Sequence, residues 1–234
     1  MTSSALADFQ AGADEIVALR ILISSPMGGA LHNPAASRAI GRASVVLLSS
    51  HFERYHYGLF EEITDALNAG KVPSECLPSE LRLRHSRRPV DHLGSTQWDQ
   101  RANGLSNFAT NEATLWRKGD LVTCLQSTHL LEFMKSPKPD ELVKLYRCLG
   151  IPDIFAAVTR RPHTRSALRM RIQSLVDKRN AIAHGDASED VTQSDVDSYL
   201  RAALQFCRSV DRVAARSLRS KFHVNVAWYG RSAF

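Results

Sequence analysis

RASVVLLSSHFERYHYGLFEEI, residues 42–63, is the stretch whose reading decides the fold. It sits inside a longer run, 35–69, in which Ile40, Leu47, Leu48, Phe52, Tyr55, Leu59, Ile63 and Leu67 mark one broad apolar face and no proline interrupts. Gly70 follows where a C-terminal cap belongs. At ~1.5 Å per residue such a helix is about 50 Å long, a length typical of helical bundles.

Outward from this helix the pattern stays helical. Upstream, Leu6, Phe9, Ala13, Ile16, Leu19 and Ile23 recur at helical intervals over residues 4–24, with Asp14 and Glu15 on the other side. The run SSPMGGALHNP, 24–34, carries two glycines and two prolines and reads as a loop. Downstream, residues 71–120 hold Pro73, Pro78, Pro89, Gly94, Gly104 and Gly119. With only short helical patches such as SELRLRHSRR, and too few apolar residues for a core of their own, they read as an irregular insertion. Helices return at 122–134, 139–149, 164–184 and 192–221, with Thr192 or Ser194 able to cap the last. Only FHVNVAW, 222–228, alternates like a strand. The expectation is an all-α single domain over 1–234, a bundle with short antiparallel connections, an extra N-terminal helix and the insertion at about 71–120.

Thirty Lys+Arg against 24 Asp+Glu give a formal charge of +6. A basic excess suits a polyanionic partner, because neutralising phosphates releases counterions. Arg82, Arg84, Arg87 and Arg88 lie close together and, with Lys178, are candidates to track an RNA backbone, although a charge run is also an ordinary solvated face. Cys76, Cys124, Cys148 and Cys207 form no close pair, which fits free thiols in a reducing cytoplasm. No basic segment followed by an apolar run opens the chain, and no apolar stretch approaches the ~18–20 residues that span a bilayer, so a cytoplasmic protein with no membrane partner is expected.

The chemistry is concentrated in RMRIQSLVDKRNAIAHGDA, residues 169–187. Leu168, Ile172, Leu175, Arg179 and Ile182 follow a spacing of four and three, so Arg179 stands in an apolar seam where Leu or Ile is usual. An arginine there is costly unless it is paired or faces a cleft or interface. Asp177, Asn180 and His184 fall on another stripe, at about 100° per residue. Gly185 ends the helix and leaves His184 in its last turn, at the carbonyl end.

A planar cationic fork and an imidazole are what RNA cleavage by internal attack requires. The 2′-OH attacks the adjacent phosphorus, the 5′-oxygen leaves, protons move, and negative charge develops on the phosphoryl oxygens. No metal and no cofactor are demanded by this chemistry. One copy cannot easily aim both groups at one phosphate, whereas two copies meeting on a two-fold axis can, so a homodimer is expected.

RNAIAHG, 179–185, resembles the R-x4-6-H signature of HEPN proteins, in the form with Asn after the Arg and Gly after the His. The helix at 42–63 resembles the long first core helix of the RiboL-PSP-HEPN branch. The resemblance covers roughly 36–220 and implies a four- or five-helix bundle, homodimerisation around a shared cleft, and a metal-independent endoribonuclease leaving 2′,3′-cyclic phosphate. It also implies a toxin–antitoxin or phage-defence setting with an antitoxin or defence partner. Carried over by position, Arg179, Asn180 and His184 are the motif residues, with Glu53 on the long helix as a carboxylate able to pair with Arg179 and Asp177 in support. A non-catalytic interaction or RNA-binding module, or the target of a partner protein, is the alternative. A nucleotidyltransferase target would carry a tyrosine close after the His, and none stands beside His184.

Other enzyme classes lack their motifs: no phosphate-binding G-x-x-x-x-G-K-[ST], no G-x-G-x-x-G after a strand, no H-E-x-x-H and no G-x-S-x-G. His51, His56, His85, His92, His129, His163 and His223 show no spacing that demands a metal and read as surface or core residues. Trp98, Trp116 and Trp228 read chiefly as buried anchors, with base stacking the other option.

Overall fold

A computed structural model describes residues 1–24, 34–186 and 188–228. The loop expected at 24–34 falls almost wholly outside them, as does the side chain of Ile23. Nine α-helices are found among the described residues: α1 Ser4–Ser24, α2 Pro34–Ala69, α3 Ser79–Ser95, α4 Arg101–Asn111, α5 Ser127–Leu131, α6 Pro139–Arg147, α7 Ile154–Val158, α8 Pro162–Ala183 and α9 Gln193–Lys221. There is no strand among them, and the fold is all-α as the sequence predicts.

Side-chain contacts set the directions of the four long helices. Glu62 of α2 accepts from the backbone N–H groups of Ser4 and Ala5, while His51 lies 3.3 Å from Glu15, so α1 and α2 are antiparallel. Ser3 bonds Asp211 and Arg20 meets Asp197 at 2.8 Å, so α1 also runs against α9. The end of α8 lies beside the first half of α2, where Arg42 donates to the Asp186 carbonyl at 2.8 Å. The result is an up-down four-helix bundle of α1, α2, α8 and α9.

Along α2 the seam runs through Val45, Leu48, Phe52, Tyr55, Leu59 and Ile63, all essentially inaccessible. Leu47, assigned to this face above, is exposed, because it lies about 100° from Leu48 and outside the stripe. Phe52 packs edge-on to Phe9, and Phe206 stacks on Phe155 of α7 at 4.7 Å. The short α7 had no period long enough to read in sequence. Asp153 caps it, accepting from the N–H groups of Phe155 and Ala156.

His56 is fully buried in this aromatic core, its Nδ1 2.8 Å from the Tyr146 hydroxyl. Burial pushes its pKa from 6.5 down to about 3. The unfolded chain therefore binds one more proton than the native one between those values. Stability present above pH 6.5 is expected to drain away on acidification by about 1.4 kcal/mol per unit from this group. Urea unfolding at stepped pH should show that slope, and His56→Leu should flatten it whatever its effect on absolute stability.

Residues 71–120 are more helical than their prolines imply. The patch at 79–88 extends through Pro89 to form the whole of α3, which is followed by α4. Leu81 and Leu115 join the main core, but the seam between α3 and α4 is polar around His85, Ser86 and Glu112. The helix expected at 122–134 is a correction: only α5 forms. Asn68 clamps Leu125 through both its N–H and its carbonyl, Val122 donates to Val72, and Gln126 donates to His85. With these backbone groups already partnered outside the segment, residues 122–126 stay extended. Residues 222–228 are irregular: Phe222 closes α9 with helical dihedrals and His223 has φ +56°, so although Phe222, Val224, Val226 and Trp228 are buried alternately, no strand forms among the described residues. Of the tryptophans Trp228 is buried, Trp116 partly exposed, and Trp98 82% exposed.

Candidate active site

Helix α8 carries the motif out of the core. Leu168, Ile172 and Leu175 are buried, and the seam emerges at Arg179 and Ile182, both half-buried. The expected cost of an arginine in a seam is thus reduced by position: the guanidinium sits at the half-buried margin of the core, beside α2.

Arg179 has two partners. Its Nη1 donates to the Asn180 side-chain oxygen at 3.0 Å, and its Nη2 stands 3.9 Å from a Glu53 carboxylate oxygen. The second contact is loose, and with side-chain exposures of 34% and 25% it contributes well under about 1 kcal/mol. Burial raises the Glu53 carboxyl pKa, and the Arg179 charge pulls it back in part. One turn along α2, the Tyr57 hydroxyl pKa is raised by burial and then by the Glu53 charge. Arg179, Asn180 and Glu53 are therefore brought together, as the sequence implied.

His184 is the C-cap of α8 and is exposed. Its backbone N–H bonds the Asn180 carbonyl at 2.9 Å, Gly185 N–H bonds Ile182, and Asp186 N–H bonds Ala181. That pairing, with Gly185 at φ +83°, is a Schellman closure. It fixes the backbone from which the imidazole projects. Gly185→Ala meets no steric obstacle within 4 Å but places a Cβ in the left-handed region. It is expected to cost about 1–2 kcal/mol in thermal unfolding and to speed amide exchange at 184–186.

Arg42 completes this end. It donates to the carbonyls of Asp186 and Glu189 at 2.8 and 3.2 Å, holding the loop after α8. Arg42 and Glu53 stand three turns apart on one face of α2. That face reads both ends of the motif, a relation visible in the numbering but passed over in the sequence.

Other expected residues are elsewhere. Asp177 pairs with Lys138 at 2.9 Å and accepts from Gln173 at 2.7 Å, so it belongs to the α6 contact and not to a stripe serving His184. Burial opposes its ionisation, but these partners outweigh it and hold the pKa below the usual range. Lys178 is bound to Glu189 at 2.8 Å and to the Asp190 carbonyl, and its pKa is raised first by the Glu189 hydrogen bond. In the arginine cluster Arg82 and Arg84 are half-buried, whereas Arg87 and Arg88 are exposed. Arg82 lies over Trp116 and Arg87 over Phe133, Arg84 donates to Leu130, and Arg88 stands 4.0 Å from Glu132. None of these four contacts α8.

Two histidines treated as unrelated in sequence do come together. His85, Glu112 and His129 place one donor atom each within 4.8 Å of one another. No local spacing announces this, because three separate elements supply them. Among the described residues no helix is long and apolar enough to cross a membrane.

Comparison with curated proteins and with solved structures gives no significant match. A family model does match: that of RiboL-PSP-HEPN, over residues 9–215, taking in most of α1 and all of α2 to α8. With most of its length matched, this all-α chain belongs to the RiboL-PSP-HEPN family.

Proposed function

We propose that the protein is a metal-independent RNA endonuclease whose cleavage centre is built by two copies from Arg179, Asn180 and His184. Membership of a HEPN family ties the chain to RNA-related function. The observation that carries the finer reading is the half-exposed Arg179, loosely held by Glu53 and oriented by Asn180, on the helix end whose cap is His184.

In this mechanism the His184 imidazole takes the 2′-OH proton as the 2′-oxygen attacks phosphorus. The P–O5′ bond breaks and the 5′-oxygen receives a proton from water. The guanidinium fork of the second copy's Arg179 stabilises the charge on the non-bridging oxygens. The products are a 2′,3′-cyclic phosphate and a 5′-hydroxyl. Asn180 is a positioning residue for Arg179. A toxin or phage-defence role, with a protein partner restraining the centre, fits an enzyme that needs nothing beyond its own side chains.

The shared centre is tested by mixing. Arg179→Ala and His184→Ala variants, each inactive alone, are unfolded together, refolded as mixed dimers and assayed on labelled RNA. Recovery of a substantial fraction of wild-type cutting supports a centre drawing Arg and His from different copies. Mixed dimers no better than the parents contradict it.

A further inference from the structure

Between α3, α4 and residues 123–129 lies a hollow of about 1050 Å³, to which no residue of α8 contributes. Glu112, 3% exposed, lines it. Its carboxylate accepts from His85 Nδ1 at 2.9 Å and from the Ser86 hydroxyl at 2.8 Å. His85 is the neutral tautomer here, because its Nε2 accepts the Gln126 N–H at 3.0 Å and leaves the single ring proton on Nδ1. Burial opposes ionisation of Glu112, but the His85 and Ser86 bonds outweigh it and hold the pKa below the usual range. Glu112 is thus a buried anion with two neutral donors, and among the described residues no Lys or Arg pairs with it. Beside it, His129 also lines the hollow, and its Nδ1 is buried with no hydrogen-bond partner.

Helix α4, whose C-cap is Glu112, forms the adjoining wall. Asn103, Asn107 and Asn111 recur every four residues and all face the hollow, where a helical hairpin ordinarily presents apolar side chains. Phe108 adds a flat apolar surface between them.

A carboxylate accepts from exocyclic amino groups, a carboxamide offers a donor and an acceptor side by side, and an aromatic face takes a ring plane. We propose that this hollow binds an amino-substituted nucleobase, its N–H edge on Glu112, its remaining polar edge on the asparagine stripe and its plane along Phe108. The base comes either from a free nucleoside or from an unpaired position of an RNA strand. A divalent cation is the rival occupant, since His85, Glu112 and His129 are close enough to share one. The bond into His85 Nε2 opposes it: ligation through Nδ1 would put the ring proton on Nε2, facing the Gln126 N–H.

Calorimetric titration of the full chain with guanosine, adenosine, cytidine and uridine, and with a short 2′-O-methyl RNA that cannot be cleaved, separates these cases. The three amino-bearing nucleosides should bind more tightly than uridine, and Glu112→Gln should weaken them by about tenfold or more. Asn107→Leu, at an exposed position, should do the same without disturbing His85, which keeps the test valid if Glu112→Gln fails to fold. Binding of the oligonucleotide alone, with the same dependence on Asn107, assigns the base to a strand and supports the proposal. No binding of any of these, equal binding of uridine, or zinc binding that depends on His129 and is unaffected by Asn107→Leu overturns it. The test does not depend on RNA cleavage.

Discussion

Replacing Arg179 by alanine is expected to slow RNA cleavage by about 10²- to 10³-fold, the usual cost of removing a donor aimed at developing transition-state charge. The fold should barely notice. Arg179 makes one hydrogen bond to its neighbour Asn180 and one long contact to Glu53, both at the margin of the core. Thermal unfolding should therefore shift by an amount equivalent to less than about 1 kcal/mol. Arg179→Lys keeps the charge but loses the planar fork, and should recover only a small part of the rate. Single-turnover cleavage of one labelled RNA, read beside a melting curve for each variant, separates the two effects. A large loss of stability with proportionate loss of activity would make Arg179 a structural residue.

The largest effect on stability is expected at the position next to Glu53. Phe52 is completely buried and its ring meets Phe9, His56 and Phe206 at 4.8–6.4 Å between centroids. Phe52→Ala removes the side chain that joins α1, α2 and α9. It should cost about 3–5 kcal/mol, because helices fixed by so many partners cannot close the cavity. Glu53→Ala should cost little, since its carboxylate is partly solvated and only loosely paired. Urea unfolding of the two variants gives the comparison, and similar midpoints would mean that the aromatic seam does not organise the bundle.

This contrast shows why the bundle could be read in the sequence. Phe52, Tyr55, Leu59 and Ile63 repeat with the period of one helix, and one face of a long helix constrains what must surround it. The motif was legible for a similar reason: Arg179 interrupts an apolar period, and Gly185 marks the end that leaves His184 as a cap. What periodicity cannot reveal is a partner on another element. Asp177 shares a helical face with His184 but is drawn to Lys138, and Lys178 to Glu189. Of the arginines at 82–88, Arg82 lies over Trp116 and Arg84 donates to Leu130, contacts no spacing announces, while Arg87 and Arg88 stay exposed. Residues 122–126 have helical composition, yet Asn68 and His85 claim their backbone groups first. The cluster of His85, Glu112 and His129 is assembled by three elements far apart in the chain.

The most direct test of the cleavage centre is a labelled RNA panel incubated in EDTA with the purified wild-type protein, Arg179→Ala and His184→Ala, followed by analysis of the new ends. Cutting by the wild type alone, with 2′,3′-cyclic phosphate and 5′-hydroxyl termini, is the predicted result. Cutting that needs added metal, leaves other termini or persists in both variants would contradict it, as would a wild-type dimer that cuts no RNA.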